Sequence, residues 1–266
     1  MQALAAATDV PTARLAIAVR PGVTMPDWSA VTSGIVREAL AAVFETCDWQ
    51  ARWAGFDEAQ DRTRRAILET YPRIGHAPTI SDLAEVVGLA PDRLRDLIAG
   101  LAARDMVVLD ADDAMVIGAY PFIDRQTGHR VRLADIELNA MCAIDALGAG
   151  AMLGADTTIA SPCRACDAAI RIETRGRGTA LADHAPPGAV VWAGIRYADG
   201  CAADSLCTVM AFFCSDAHLE SWRAGQDPAP RGFRLSPEEG LQMGKAIFMP
   251  LLAAASPNPY KETGSP

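Results

Sequence analysis

Three side chains concentrate the chemistry that this sequence can carry. Cys142 and Asp145 stand three positions apart in the run Met141-Cys-Ala-Ile-Asp145, and on a helix that spacing places them on one face. Leu138 and Met141 share that face. A thiol and a carboxyl are therefore aimed into apolar surroundings, where a carboxyl gains pKa and can hold its proton near neutrality. Cys207 lies in an apolar run over 206–214 that reads as a strand, with Leu206, Met210 and Phe212 on one side and Val209, Ala211 and Phe213 on the other. It is expected to be an interior thiol. Two thiols beside an acid make a site for a soft, thiophilic metal, provided that the fold brings Cys207 to Cys142. Spacing alone leaves the plain alternative open, since cysteine is among the most often buried residues and an aspartate can cap or pair elsewhere.

The remaining candidates are weaker. Seven cysteines, at 47, 142, 163, 166, 201, 207 and 214, are an odd number, which disfavours a disulfide framework. Cys163 and Cys166 form a C-x2-C pair that could join Cys201 and Cys207 in a four-thiolate zinc site. Five residues separate that second pair, more than the usual spacing of zinc ribbons. His76, His129, His184 and His218 are scattered without metal-helix spacing. The glycines at 148, 150 and 154 follow a helix rather than a strand, so they read as a helix end and not as a phosphate loop. No nucleotide cofactor is implied.

Positioning such a trio falls to a globular α+β chain. With 266 residues, half of them hydrophobic, the chain can bury a sizeable core as one large or two small domains. No stretch has the roughly 20 apolar residues that a bilayer span needs. A formal charge of −9 and a pI near 4.9 argue against nucleic acid as the main partner. The first basic residue is Arg14, and Pro11 and Pro21 interrupt the start, which is unlike a secretory signal, so a cytoplasmic address is expected.

Residues 1–60 read as an N-terminal extension with one amphipathic helix marked by Val31, Ile35, Leu40, Val43 and Phe44. Residues 61–124 read as a winged-helix-like module. A first helix follows Asp61, a second spans 79–88 with Ser81 as N-cap and Gly88 as stop, and a third starts at Pro91 with Leu94, Leu97, Ile98 and Leu101 on one face; a hairpin over 107–117 follows. Such a module can read DNA, here through Arg93 and Arg95, or serve structure and docking. The acid-rich composition favours the second use. Residues 125–255 carry a helix over 136–153, strands over 170–174, 189–197 and 206–214 in a mixed or antiparallel sheet, and flanking helices over 218–224 and 237–254; residues 256–266 read as a flexible tail.

The second half resembles a known family. Met141-Cys-Ala-Ile-Asp145 with Leu147 and the run 151–154, then Ser161-Pro-Cys163, and Ser205-Leu-Cys207 continuing to Phe212 and Phe213, are similar to the bacterial organomercurial (alkylmercury) lyases over about 134–249. The resemblance implies that Cys142 and Cys207 hold the mercury of substrate and product, that Asp145 donates the proton and is a candidate further ligand, and that Cys163 is structural. It implies protonolysis of a carbon–mercury bond to a hydrocarbon and Hg(II), as part of mercury detoxification and resistance. No organic cofactor or resident metal is required; external thiols accept the mercury, with hand-off to mercuric reductase or to low-molecular-weight thiols. Met141 stands where the family often has an aromatic residue, and Thr208 where some members have a second cysteine. Two rivals follow from the same residues: a thiol-based metal- or redox-responsive winged-helix regulator, and a lyase homologue with a changed substrate. A sensor has no use for a buried acid beside its thiol, whereas protonolysis does.

Overall fold

Short apolar stretches punctuated by turn residues dictate short antiparallel strands, and longer segments with capping residues dictate helices. The computed structural model describes residues 15–55, 57–112 and 115–254. The first elements among the described residues are a hairpin of β1 (Ile17–Arg20) and β2 (Val23–Met25), then α1 (Gly34–Cys47) and α2 (Trp49–Trp53). The expected helix is α1, although Val31 precedes it. The strands of this hairpin are too short for an alternating pattern to stand out in the sequence. Its Ile17, Val19, Val23 and Met25 are all buried, and α1 packs on the C-terminal helix, so these elements join the core.

Three helices follow, α3 (Glu58–Ile74), α4 (Ile80–Val87) and α5 (Pro91–Ala103). The N-cap of α4 is Thr79 and not Ser81. Thr79 has the extended backbone of a cap and accepts from the Asp82 N–H, while the Asp82 carboxylate accepts from the Thr79 N–H, so two otherwise orphaned donors are satisfied. Gly88 ends the helix in the left-handed region, as expected. The helices lead into an antiparallel sheet of β3 (Val107–Leu109), β4 (Val116–Ala119) and β5 (Phe122–Ile123), which adds a third strand to the expected hairpin.

The second half holds a five-stranded antiparallel sheet in the order β10-β9-β8-β6-β7, from β6 (Arg130–Leu133), β7 (Ile136–Asn139), β8 (Thr158–Pro162), β9 (Ala169–Arg175) and β10 (Ala180–Ala185). Its register aligns Leu138, Val131, Ile159 and Ile172 in one buried row across four strands. A three-stranded antiparallel sheet, β12-β11-β13, is built from β11 (Val190–Gly194), β12 (Met210–Phe213) and β13 (Gly232–Leu235). Helices α6 (Ala143–Leu153), α7 (Asp216–Ala224) and α8 (Pro237–Leu252) complete the described elements.

Three expectations are corrected here. Residues 136–139 are strand, because Ala134 adopts a positive φ of 50° and closes a two-residue turn that pairs Leu133 with Ile136; the helix starts only at Ala143. The strand expected over 206–214 is limited to Met210–Phe213, and Cys207–Val209 form a single 3-10 turn. Gly148 and Gly150 lie inside α6 rather than at its end, which Gly154 provides. Gly148 faces Gly244 of α8 so closely that a β-carbon on it would lie 2.7 Å from the Gly244 carbonyl oxygen and 2.3 Å from the Phe248 ring.

A buried ionic clasp joins distant parts of the chain. The Asp61 carboxylate accepts from Arg20 at 3.1 Å and Arg64 at 2.7 Å, and both guanidinium groups also donate to carbonyl oxygens at the C-terminal end of α8. Cations there complement the negative end of the helix dipole. No described helix is long and apolar enough to cross a membrane. The tail expected over 256–266 lies outside the described residues.

Candidate active site

The turn that stops β7 places Cys142 at the N-cap of α6, where its backbone is extended (φ −153°, ψ −178°) and its Sγ accepts the Asp145 N–H at 3.4 Å. Cys142 thus occupies the position usually held by Ser, Thr or Asp. The helical-face argument that paired Cys142 with Asp145 is replaced by cap geometry: residue N3 lies under the cap, so the two side chains meet all the same. Cys207, in its 3-10 turn, completes the group. Its thiol donates to Asp145 Oδ2 at 3.4 Å, and Cys142 Sγ, a carboxylate oxygen of Asp145 and Cys207 Sγ all lie within 4.8 Å of one another, all buried. Met210 Sδ is 3.8 Å from Cys142 Sγ.

Burial decides the electrostatics. It raises the Asp145 carboxyl to about 7 against the opposing pull of the two thiols, so the group is shared between acid and carboxylate near neutral pH. Burial likewise pushes the Cys142 thiol up to about 11. The hydrogen bond with Cys142, followed by burial and the Asp145 charge, holds Cys207 well above the ordinary thiol range. At rest the site keeps both sulfurs protonated next to a group that can take a proton from either. A soft metal bound there would have to displace those protons.

The Cys207 turn is held by residues that sequence reasoning missed. Asp105, directly after α5, accepts from Tyr120 Oη at 2.6 Å, Tyr197 Oη at 2.9 Å and the Ala202 N–H at 3.0 Å. Tyr120 Oη in turn accepts the Ala203 N–H at 3.0 Å, and the Cys207 N–H donates to the Ala202 carbonyl at 2.8 Å. No local pattern marks Asp105; its partners lie 15 to 97 positions away. Thr208, where some family members have a cysteine, donates to the Ser205 carbonyl at 2.7 Å and accepts from Arg196 at 2.7 Å.

The trio borders a small cavity of about 40 Å³ whose walls include Met25, Trp49, Trp53 and Phe248. Cys207 also lines a second cleft, of about 330 Å³, with Arg125, Thr127, Arg164 and Thr208; Cys142 and Asp145 do not line it. The N-terminal elements therefore supply part of the wall. His129, beside the cleft, is paired with Ser161 Oγ at 2.7 Å and drawn down by burial to about 4, so its ring is neutral.

The expected four-thiolate alternative does not assemble. Cys163 and Cys166 group with Cys214 and His218, whereas Cys207 belongs to the buried trio and Cys201 contacts Asp204. The two pairs are held on different elements, which spacing could not reveal. Of the arginines considered as base readers, Arg95 forms an exposed ion pair with Asp92.

Residues 122–249, just under half of the chain, match the family model described as MerB, alkylmercury lyase. The chain is also similar to the crystal structure of the mercury-bound form of MerB2, with a TM-score of 0.66 and 24% identity over 80% of this chain and 100% of that one. At that identity the likeness speaks for the fold, and the observed helices with antiparallel sheets agree with the expected α+β class. No curated protein matches the chain. The likeness to organomercurial lyases read from 134–249 is borne out by the family match.

Proposed function

We propose that this chain, whose residues 122–249 match the alkylmercury lyases, cleaves carbon–mercury bonds by protonolysis with Cys142, Asp145 and Cys207. The observation that carries the reading is the convergence of two buried thiols on one buried carboxyl poised near 7. Neither a packing role nor a simple metal sensor calls for that acid.

The substrate is an organomercurial carried as a thiol adduct, R–Hg–SR′. Cys207 meets it first from the cleft: its sulfur bonds to mercury, and its proton leaves on the displaced carrier as R′SH. Cys142 then bonds to mercury as its proton passes to the Asp145 carboxylate, 3.4 Å from Cys207 in the same cluster. Two thiolates load electron density onto the mercury and its carbon. Asp145 delivers the proton to that carbon, and the C–Hg electron pair becomes the C–H bond. The hydrocarbon RH departs, mercury stays between two sulfurs, and Asp145 is a carboxylate again. One thiol proton leaves on the carrier and the other on the hydrocarbon, so the balance closes without a redox step or an organic cofactor. A value near 7 suits a group that must accept and donate in one cycle. External thiols then remove Hg(II) by exchange, as low-molecular-weight acceptors or on the way to a mercuric reductase.

The test is incubation of the purified protein with phenylmercury or methylmercury and excess small thiol, with benzene or methane followed by gas chromatography. The parent is expected to release hydrocarbon. Cys142→Ser and Cys207→Ser are expected to abolish it, and Asp145→Asn to bind mercury while turnover falls about 10²–10⁴-fold, since an amide cannot supply the proton. Tight mercury binding with no hydrocarbon from the parent would instead support the regulator or a homologue with another substrate.

A further inference from the structure

We propose that Cys163, Cys166, Cys214 and His218 bind one structural zinc ion, separate from the Cys142–Asp145–Cys207 site. The four ligand atoms lie within 4.8 Å of one another. Tetrahedral zinc with bonds of about 2.3 Å to sulfur and about 2.0 Å to nitrogen sets S···S edges of roughly 3.8 Å and S···N edges of roughly 3.5 Å. Cys166 Sγ and Cys214 Sγ are 3.8 Å apart. His218 Nδ1 is 2.9 Å from Cys214 Sγ and 3.8 Å from Cys163 Sγ, distances that bracket the expected edge.

The local chain has the form of a thiolate knuckle. Cys163 ends just past β8, and the Cys166 and Asp167 N–H groups both fold back onto the Cys163 carbonyl in a tight turn. The Cys214 N–H donates to Cys163 Sγ at 3.4 Å, an outer hydrogen bond of the kind that orients metal-bound thiolates. Cys214 follows β12, and His218 lies four residues on, in the first turn of α7 capped by Ser215. The result is a C-x2-C pair facing a C-x3-H pair. Three sulfurs and one imidazole leave no open position, the composition of a structural zinc site rather than a catalytic one. Loading zinc displaces thiol protons to solvent and involves no redox change.

Such an ion would staple the β8–β9 turn of the five-stranded sheet to the β12–α7 junction of the three-stranded sheet. Arg164, inside the knuckle, extends the link to the mercury-binding side: its N–H donates to the Phe212 carbonyl at 3.0 Å and its guanidinium to the Thr208 carbonyl at 2.7 Å, the residue after Cys207. The inference does not depend on the lyase reading, since the two sites share no ligand.

The test is metal analysis by inductively coupled plasma mass spectrometry of protein purified without added metal. About one zinc per chain is expected, retained in a Cys142→Ser, Cys207→Ser double variant and about tenfold or more lower in Cys166→Ser, Cys214→Ser. Replacement of zinc by cobalt(II) in the parent requires no variant to fold, and should give thiolate-to-cobalt charge transfer with the intense visible bands of tetrahedral coordination. A parent that purifies metal-free and takes up no cobalt overturns the proposal. So do a stoichiometric metal other than zinc, zinc that persists in the Cys166→Ser, Cys214→Ser variant or leaves with Cys142 and Cys207, and a Cys166–Cys214 disulfide in a non-reducing peptide map.

Discussion

At the scale of single residues, the burial that raises the Asp145 carboxyl also makes its charged form costly to the fold. Its carboxyl stands at about 7 in the folded protein against 3.8 unfolded, so the folded state holds that proton more tightly. This contribution is complete below about 3.8 and is lost as the pH rises toward 7. His129 runs the other way: its ring stands at about 4 against 6.5 unfolded, so its contribution is complete above 6.5 and is lost as the pH falls toward 4. The two trends oppose each other over nearly the same window. Asp145→Asn removes the first and is expected to gain stability over the parent as the pH rises from 4 to 7, because only the parent has a folded-state proton to give up over that range. Urea midpoints of both proteins across that range check this; a difference that stays flat with pH would contradict it. The three residues that cluster in the candidate site stand out by type in the sequence, because thiols and a carboxyl in apolar runs have few explanations. The contact between Cys142 and Asp145 was foreseen for the wrong reason, since a helix face and an N-cap bring positions three apart together equally well.

At the scale of elements, α6 carries Cys142 and Asp145 at its start and is seated by its contact with α8. Gly148→Ala would force a β-carbon against the Gly244 carbonyl at 2.7 Å, and backbone cannot yield as a flexible side chain would. The substitution is expected to cost about 1–3 kcal/mol or more and to lower turnover by displacing the helix start. Gly34→Ala, where nothing lies within 4 Å of the added carbon, should stay within about 0.5 kcal/mol of the parent. Thermal melts and hydrocarbon release on the pair separate the packing effect from a general glycine effect. Helices with strong punctuation were legible: Gly88 and Pro91 bracket the boundary between α4 and α5 as read. The four-residue strands β6 and β7 were not, because Leu133 and Ile136 are as compatible with a helical stripe as with a hairpin. Only the backbone at Ala134 decides between them.

At the scale of the whole molecule, the clasp of Arg20, Asp61 and Arg64 ties the first hairpin and α3 to the end of α8. Asp61→Ala would leave two buried guanidinium groups without their carboxylate and is expected to cost about 3–5 kcal/mol, read as a lower denaturation midpoint. Residues 1–60 looked like an appendage because their apolar residues suggest burial without saying against what. In the fold, Met25, Trp49 and Trp53 help to wall the cavity beside Cys142 and Cys207. Adjacency across such distances is a property of the assembled core and leaves no mark in local spacing. The position of Cys207, between an inner space of about 40 Å³ and an outer one of about 330 Å³, makes it the threshold sulfur of the pair. On the proposed reading, a mercury atom held by the two thiols would meet the wider cleft through Cys207, since Cys142 and Asp145 do not line it. Its removal would then be a matter of stature as much as of affinity: a slim monothiol is expected to strip it faster than a bulky chelator that grips mercury more tightly in free solution, as rates of mercury release to the two would show.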